Sequence, residues 1–356
     1  MDKFEKYIKE NAKLVNQELE TYLKKKSSSR YIESLLGRSS YEYDPEAMNK
    51  SILEPAWYLF DLGGKRWRPA LTLLILEALG KDPKEFIEFA IIPEVIHTAT
   101  LIHDDIEDNS SKRRSAPALH VKYGLDIANN LGDFMYFFPM VALADSPKIS
   151  TEKKNRALSI YVKDMTRISL GQATDIAWHR GLLDPWKITE EKYLQMASDK
   201  TGVLSRFACE LGAVIAGADE KTIEAVGKFG ATIGVAFQIK DDILNITESE
   251  LSDNKGGVGD DISEGKITIM VIYTLKHGSE QDRKRLIEIL DMHTKGKKLI
   301  KEAINIMDKY KAKEYADKLA ERIMKESWAA VDLKLPDSNA KSMIKELVEF
   351  LIHRSN

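Results

Sequence analysis

Very few places in this chain let a strand begin or a helix stop. Only 10 prolines and 20 glycines punctuate 356 residues, and the stretches between them are filled with Lys, Glu, Leu, Ala and Ile. Apolar residues recur at three- and four-residue intervals, and period-two alternation bounded by turn residues is nearly absent. The pattern predicts an all-α protein without a substantial sheet.

Several helices can be bounded in advance. Asp82, Pro83 and Glu85 have the order of an N-cap, a first-turn proline and a capping-box acid, so a helix is expected from there, with a kink or a short break at Pro93 before a second run from Glu94 to Asp108. A long run from Lys221 to Asn245 carries Gly230 and Gly234 one turn apart, which invites close approach of another helix. Amphipathic runs are expected from Leu286 to Lys311, including a solvated Lys295 to Lys298 segment, and from Lys313 to Asp332. The weakest points are Lys25 to Ser29 and Asp253 to Gly259, and neither divides the chain. One helical domain over 1–356 follows. Residues 1–50 form a helical extension that either covers a partner or hangs free.

Composition narrows the function. The 53 basic and 56 acidic residues leave a formal charge of −3, so nucleic acid is not an expected partner. A single cysteine, Cys209, excludes an internal disulfide framework and any multi-cysteine zinc site, and reads as a small core hydrophobe. No uninterrupted apolar run approaches the roughly 20 residues of a membrane span. Charges from Asp2 to Glu10 prevent a signal-peptide core. A cytoplasmic protein without a membrane span is expected.

The strongest chemical signal is His103-Asp104-Asp105-Ile106-Glu107-Asp108 at the end of an apolar run. Asp104 and Asp108 share a helix face, with Asp105 beside them, and like charges at that spacing repel unless a cation bridges them. Asp241-Asp242-Ile243-Leu244-Asn245 repeats the arrangement on a second apolar helix. One such cluster is ordinarily a solvated face; two, each ending an apolar stripe, suggest carboxylates facing each other across a cavity. Oxygen ligands without thiolate favour Mg²⁺, which keeps waters and shares its shell with phosphate. Lys65, Arg66 and Arg68 after Gly63-Gly64, the Arg113-Arg114 pair, Lys200-Thr201, Lys255 and Lys266 are surface charges if taken singly. Together with the acids they suggest two phosphorylated ligands, one held through metal and one directly.

These motifs, with Ile96-His97-Thr98, Gly171-Gln172-Ala173-Thr174-Asp175 and Phe237-Gln238-Ile239-Lys240-Asp241-Asp242, occur in the order found in trans-isoprenyl (polyprenyl) diphosphate synthases. The chain resembles that family from about Leu53 to Arg354, and its geranylgeranyl-producing members most. The resemblance implies the isoprenoid synthase type I fold, a single large antiparallel helix bundle around a central cavity, a homodimer, and Mg²⁺-dependent head-to-tail condensation of isopentenyl diphosphate with an allylic diphosphate (dimethylallyl, geranyl or farnesyl). By position, Asp104, Asp105 and Asp108 would bind two Mg²⁺ ions and Asp241, with Asp242, a third. Asp175 and Gln172 would support the metal shell or the substrate channel. Arg113, Lys200, Lys255 and Lys266 would meet the allylic diphosphate, and Lys65, Arg68, His97 and Arg114 isopentenyl diphosphate. Thr201 and Gln238 would steady the allylic cation. The chain departs from the common pattern in Asn245, in the spacing around Lys255 and in lacking a strongly basic tail.

Product length in this family follows the depth of the apolar cavity below the first acidic cluster. The positions four and five residues before Asp104 are Thr100 and Ala99 rather than aromatics, so the usual short-chain floor is missing. Ile96, Pro93 and the stretch Phe134 to Phe138 form the next candidate layer. Geranylgeranyl (C20) diphosphate is the expected product, with longer chains as the rival. A terpene cyclase would lack the paired basic residues, and a non-catalytic subunit would have lost acidic ligands.

Overall fold

The protein is described here by a computed structural model covering residues 2–247 and 258–353. In chain order the helices are α1 (Asp2–Tyr22), α2 (Ser29–Leu36), α3 (Pro45–Met48), α4 (Glu54–Asp61), α5 (Trp67–Ala78), α6 (Ile87–Glu107), α7 (Leu119–Tyr123), α8 (Leu125–Asp145) and α9 (Thr151–His179). There follow α10 (Glu190–Ala197), α11 (Val203–Ala216), α12 (Glu220–Asn245), α13 (Asp260–Ser263), α14 (Ile269–His277), α15 (Glu280–Asp291), α16 (Lys297–Lys309), α17 (Ala312–Asp332) and α18 (Asn339–His353). Among the described residues the only strands are β1 (Lys112–Arg113) and β2 (Ala116–Pro117), paired antiparallel as a minimal hairpin. The fold is all-α.

The chain forms two compact units. The first comprises residues 1–158, 210–218 and 338–343, and the second 159–209, 219–337 and 344–356. In the first, α6 is the central element and packs on α1, α5 and α8. Phe89 to Ile92, Val95, Ile96 and Ala99 are fully enclosed, and burying a side chain such as Phe89 contributes roughly 1.5–3 kcal/mol. Gly132 lets α8 approach α6, since a Cβ there would lie 2.4 Å from His103 Nε2. The N-terminal segment does not hang free: α1 buries Phe4, Val15 and Leu19 and packs on α5 and α6 of the same chain.

The proline expectations are half met. Asp82 caps the Lys84 amide, yet Pro83–Phe86 forms a 3₁₀ turn before α6 begins. Pro93 lies inside α6 without breaking it. It forgoes one backbone bond, and the buried apolar residues on either side hold the helix together. Segment Pro83–Glu107 is also the one described helix long and apolar enough to cross a membrane, which the sequence reading had not recognised; 61% of its apolar window is buried within the protein, as befits a core helix.

In the second unit α12 packs along α17 and against a π-helical turn, Ser198–Gly202. Three glycines permit close backbone approaches in this unit, of α9 to the turn, of α12 to α11 and of α12 to the turn. A Cβ on Gly171 would fall 2.3 Å from the Lys200 amide nitrogen, one on Gly230 2.4 Å from the Ser205 carbonyl, and one on Gly234 2.3 Å from the Gly202 Cα. Asp219 caps α12 through the Thr222 amide at 2.7 Å, and Phe229 meets Trp328 of α17 at 5.8 Å. The expected run from Leu286 to Lys311 is two helices, α15 and α16, separated by a turn in which His293 takes a left-handed conformation. Cys209 is buried, as expected of a small hydrophobe.

Candidate active site

In the first unit, the end of α6, the β1–β2 hairpin and the start of α5 bring acids and cations together. Arg113 Nε lies 3.0 Å from both carboxylate oxygens of Asp105, and its Nη2 lies 3.6 Å from Asp104 Oδ2. Asp105 is 2% exposed and Asp104 30%. Burial raises the Asp105 carboxyl above its ordinary range, against the pull of Arg113. Asp108 ends the helix, its amide bonded to the Asp104 carbonyl at 2.9 Å. The hairpin turn places Arg114 and Ser115 at φ 52° and 64°, the left-handed pair a tight type I′ connection demands.

The cations surround His97. Burial and then Arg68, Arg114, Arg113 and Arg66 depress its imidazole well below the usual value, so it is neutral at pH 7. Arg68 is buried, stacks over Trp67 at 4.5 Å and has no hydrogen-bond partner on its Nε. Burial lowers its pKa to about 10. A desolvated guanidinium with an unsatisfied donor is costly unless an anion meets it. The Arg114 guanidinium reaches Gly64, where a Cβ would stand 3.3 Å from it. Lys65 is exposed beside them. Arg66 turns inward instead, to Glu94 Oε1 at 2.7 Å, the Phe60 carbonyl at 3.2 Å and Asn16 Oδ1 at 3.1 Å. Its charge is neutralised within the fold, which removes it from the basic candidates.

In the second unit α9, the π-helical turn, α12 and α13 assemble another cluster. Lys200 Nζ bonds Asp175 Oδ2 at 2.5 Å. Burial opposes ionisation of Asp175, but Lys200 and Lys266 outweigh it and hold the carboxyl below its ordinary range. Gln172 lies one turn earlier on α9, partly buried. Lys266 Nζ is 3.4 Å from Asp261 Oδ1 and 2.5 Å from Glu264 Oε2. On α12, Asp241 is partly exposed and Asp242 is 4% exposed. The Thr201 hydroxyl donates to Gln238 Oε1 at 2.8 Å, Gln238 Nε2 donates to Asp242 Oδ1 at 2.7 Å, and the Tyr193 hydroxyl donates to Asp242 Oδ2 at 2.6 Å. Burial, then Asp261 and Asp241, push the Asp242 carboxyl up to about 8. Lys255 lies outside the described residues.

Among the described residues, no three His, Cys, Asp or Glu side chains converge as a ready-made metal cluster. The donor set nevertheless suits a hard cation that keeps most of its waters and completes its shell with phosphate, because such an ion needs only one or two carboxylates from the protein. Asp104 with Asp108, and Asp241, are carboxylates of that kind.

A family profile described as polyprenyl synthetase matches residues 49–307. The chain belongs to the polyprenyl synthetase family. Its members are prenyltransferases. A short chain isoprenyl diphosphate synthase of Methanothermobacter thermautotrophicus is 37% identical over 310 residues, covering 86% of this chain and 91% of that one. A geranylgeranyl diphosphate synthase of Sulfolobus acidocaldarius is 36% identical over 309 residues, covering 85% and 91%. The crystal structure of a geranylgeranyl pyrophosphate synthetase from Pyrococcus horikoshii superposes with a TM-score of 0.82 at 32% identity, covering 99% of each chain. Relatives named geranylfarnesyl diphosphate synthase also match, at 30% and 33% identity.

Three residues of these clusters lie outside the sequence motifs. Asp261, 17% exposed, joins Asp241 and Asp242 as a third acid of the cluster, and the adjacent pair Asp260-Asp261 was its available signal. Glu94 is the buried acid among the arginines, three residues before His97. Tyr193 carries no motif at all. Asn245, read as a weakened ligand, uses its side-chain oxygen to accept the Asp261 amide at 3.2 Å, so it braces the start of α13.

Proposed function

We propose that this chain condenses isopentenyl diphosphate with an allylic diphosphate (dimethylallyl, geranyl or farnesyl), head to tail, to give trans-geranylgeranyl diphosphate and free diphosphate. The observation that carries the reading is Arg68, buried with an unsatisfied donor beside neutral His97, Arg113 and Arg114. That is a site waiting for a compact polyanion. In this reading Lys65, Arg68, His97 and Arg114 hold isopentenyl diphosphate, while Arg113, Lys200 and Lys266, with Lys255, receive the allylic diphosphate. Asp104, Asp105, Asp108, Asp175 and Asp241 would hold or support about three Mg²⁺ ions. When bound, Mg²⁺ would neutralise charge building on the leaving diphosphate.

The residues then divide the work. Arg113 and Lys200 stabilise the diphosphate as the allylic C–O bond breaks and the electron pair leaves with oxygen. Thr201 and Gln238 set oxygen dipoles toward the carbon left positive. Arg68 and Arg114 keep the alkene of isopentenyl diphosphate within reach of that carbon. The new C–C bond forms, and a proton is lost from the former isopentenyl unit to the released diphosphate. A homodimer is the assembly we propose, supported by the exposed apolar side chains of Leu125 and Phe137 on α8, at 60% and 71%. Small Ala99 and Thr100 before Asp104 support C20 over C15, and the geranylgeranyl relatives support C20 over C25.

The test is incubation of the protein with isopentenyl diphosphate and each primer, with Mg²⁺ or with EDTA, followed by chromatography of the dephosphorylated alcohols. Mg²⁺-dependent C20 alcohol is expected. If isopentenyl diphosphate is consumed with no primer, the reading fails; if C25 dominates, only the chain length falls.

A further inference from the structure

Asp242 stands beside Asp241 where the sequence pattern makes both metal ligands. Its surroundings differ. Both carboxylate oxygens already accept a hydrogen bond from the protein, one from the Tyr193 hydroxyl at 2.6 Å and one from Gln238 Nε2 at 2.7 Å. The residue is 4% exposed and Tyr193 1%. Turning either oxygen toward a cation would strip a buried donor of its partner. Asp241 lies a hundred degrees or so around the helix and is partly exposed.

The same bonds decide which way Gln238 points. The terminal torsion of a glutamine is broad and roughly two-fold, so packing alone does not separate its oxygen from its nitrogen. The Tyr193 hydroxyl holds Asp242 Oδ2, which leaves Oδ1 facing Gln238 and accepting from its Nε2 end. The Oε1 end is thereby left for Thr201, whose hydroxyl donates to it at 2.8 Å. The hydroxyl proton is engaged, and the oxygen lone pairs of both groups remain available. With the amide reversed, N–H dipoles would replace oxygen ones and repel a developing cation.

We infer that Tyr193 is a positioning residue for the condensation, which through Asp242 fixes the Gln238 amide and the Thr201 hydroxyl, while Asp241 keeps the metal-binding role of the proposed reaction. This rests on the proposed reaction, in which Gln238 and Thr201 steady the allylic cation. Tyr193→Phe keeps the ring and removes one donor. Its kcat should fall about 10- to 100-fold, because the dipoles lose their alignment, while KM for isopentenyl diphosphate stays within about twofold. The second readout needs no turnover: Mn²⁺ binding in the presence of inorganic diphosphate, followed by electron paramagnetic resonance. Tyr193→Phe and Asp242→Asn should bind Mn²⁺ as the parent does, and Asp241→Asn should bind it at least about tenfold more weakly. Thermal melting checks that each variant is folded, and Tyr193→Phe alone suffices if Asp242→Asn is not. The inference is overturned if folded Tyr193→Phe keeps kcat within about twofold of the parent, or if Asp242→Asn loses Mn²⁺ as Asp241→Asn does. A parent inactive with every primer would sink the proposed reaction, and the Mn²⁺ measurement would still decide between the two aspartates.

Discussion

Arg113 grips Asp105 along its Nε edge, 3.0 Å to each oxygen, while reaching toward Asp104 at 3.6 Å. The two aspartates therefore do different things despite being neighbours. Asp105 is spent inside the protein on fixing the arginine, and Asp104 keeps the more open carboxylate.

Arg113→Ala would leave Asp105 buried without its cation. Breaking such a pair costs about 3–5 kcal/mol when both partners are enclosed. Arg113 is 25% exposed, so a loss of about 2–4 kcal/mol is expected. Urea denaturation reads it, and adding Asp105→Asn should restore most of the loss. A single variant as stable as the parent would contradict the buried pairing.

Asp164 supplies a pH test. Fully buried on α9, it bonds Arg167 Nη1 at 2.5 Å and lies 3.7 Å from Arg206 Nε. Burial raises its pKa from 3.8 to about 6 against both arginines. A carboxyl with a folded-state value above its unfolded one binds protons more tightly when folded, so its contribution is full below pH 4 and is lost as pH rises through 6. The rise corresponds to about 3 kcal/mol. Stability of the parent measured between pH 4 and 7 should carry this downward slope, and Asp164→Asn should lack it; parallel curves would refute the assignment.

Ala99→Phe should shorten the product. Ala99 is fully enclosed on α6, and adding a ring costs about 1–3 kcal/mol of packing strain, which a melting curve will register. Chromatography of the extracted alcohols should shift from C20 toward C15. Unchanged length would remove Ala99 from the path of the growing chain.

Gly234→Ala tests the close contact that sets Thr201 against Gln238. The added methyl would sit 2.3 Å from the Gly202 Cα, where neither backbone can yield without moving the π-helical turn. A loss of about 1–3 kcal/mol is expected, together with lower kcat. A variant melting with the parent would show that α12 and the turn are less tightly apposed.

Helix positions were legible because caps and spacing are local signals. Asp82 before the Pro83–Phe86 turn and the small residues Gly230 and Gly234 could be read directly, and both signals do what their chemistry suggests. The break between α15 and α16 was hidden because the apolar period continues across a turn whose left-handed residue is His293, not glycine. In the site, Asp104, Asp108 and Asp241 follow from spacing alone. The partnership of Tyr193 with Asp242 spans 49 residues, and that of Arg66 with Glu94 spans 28. No periodicity encodes such pairings; they exist only once tertiary packing has chosen which polar groups to enclose together.

Asn16 on α1 accepts from Arg66, and Arg66 in turn engages Glu94, three residues before His97. The first helix is thus a guy-rope on the arginine cradle. Trimming the leading twenty-odd residues to ease expression would slacken it, letting one more positive charge swing toward incoming phosphate, so trimmed and untrimmed enzyme should not be treated as interchangeable in inhibitor screens.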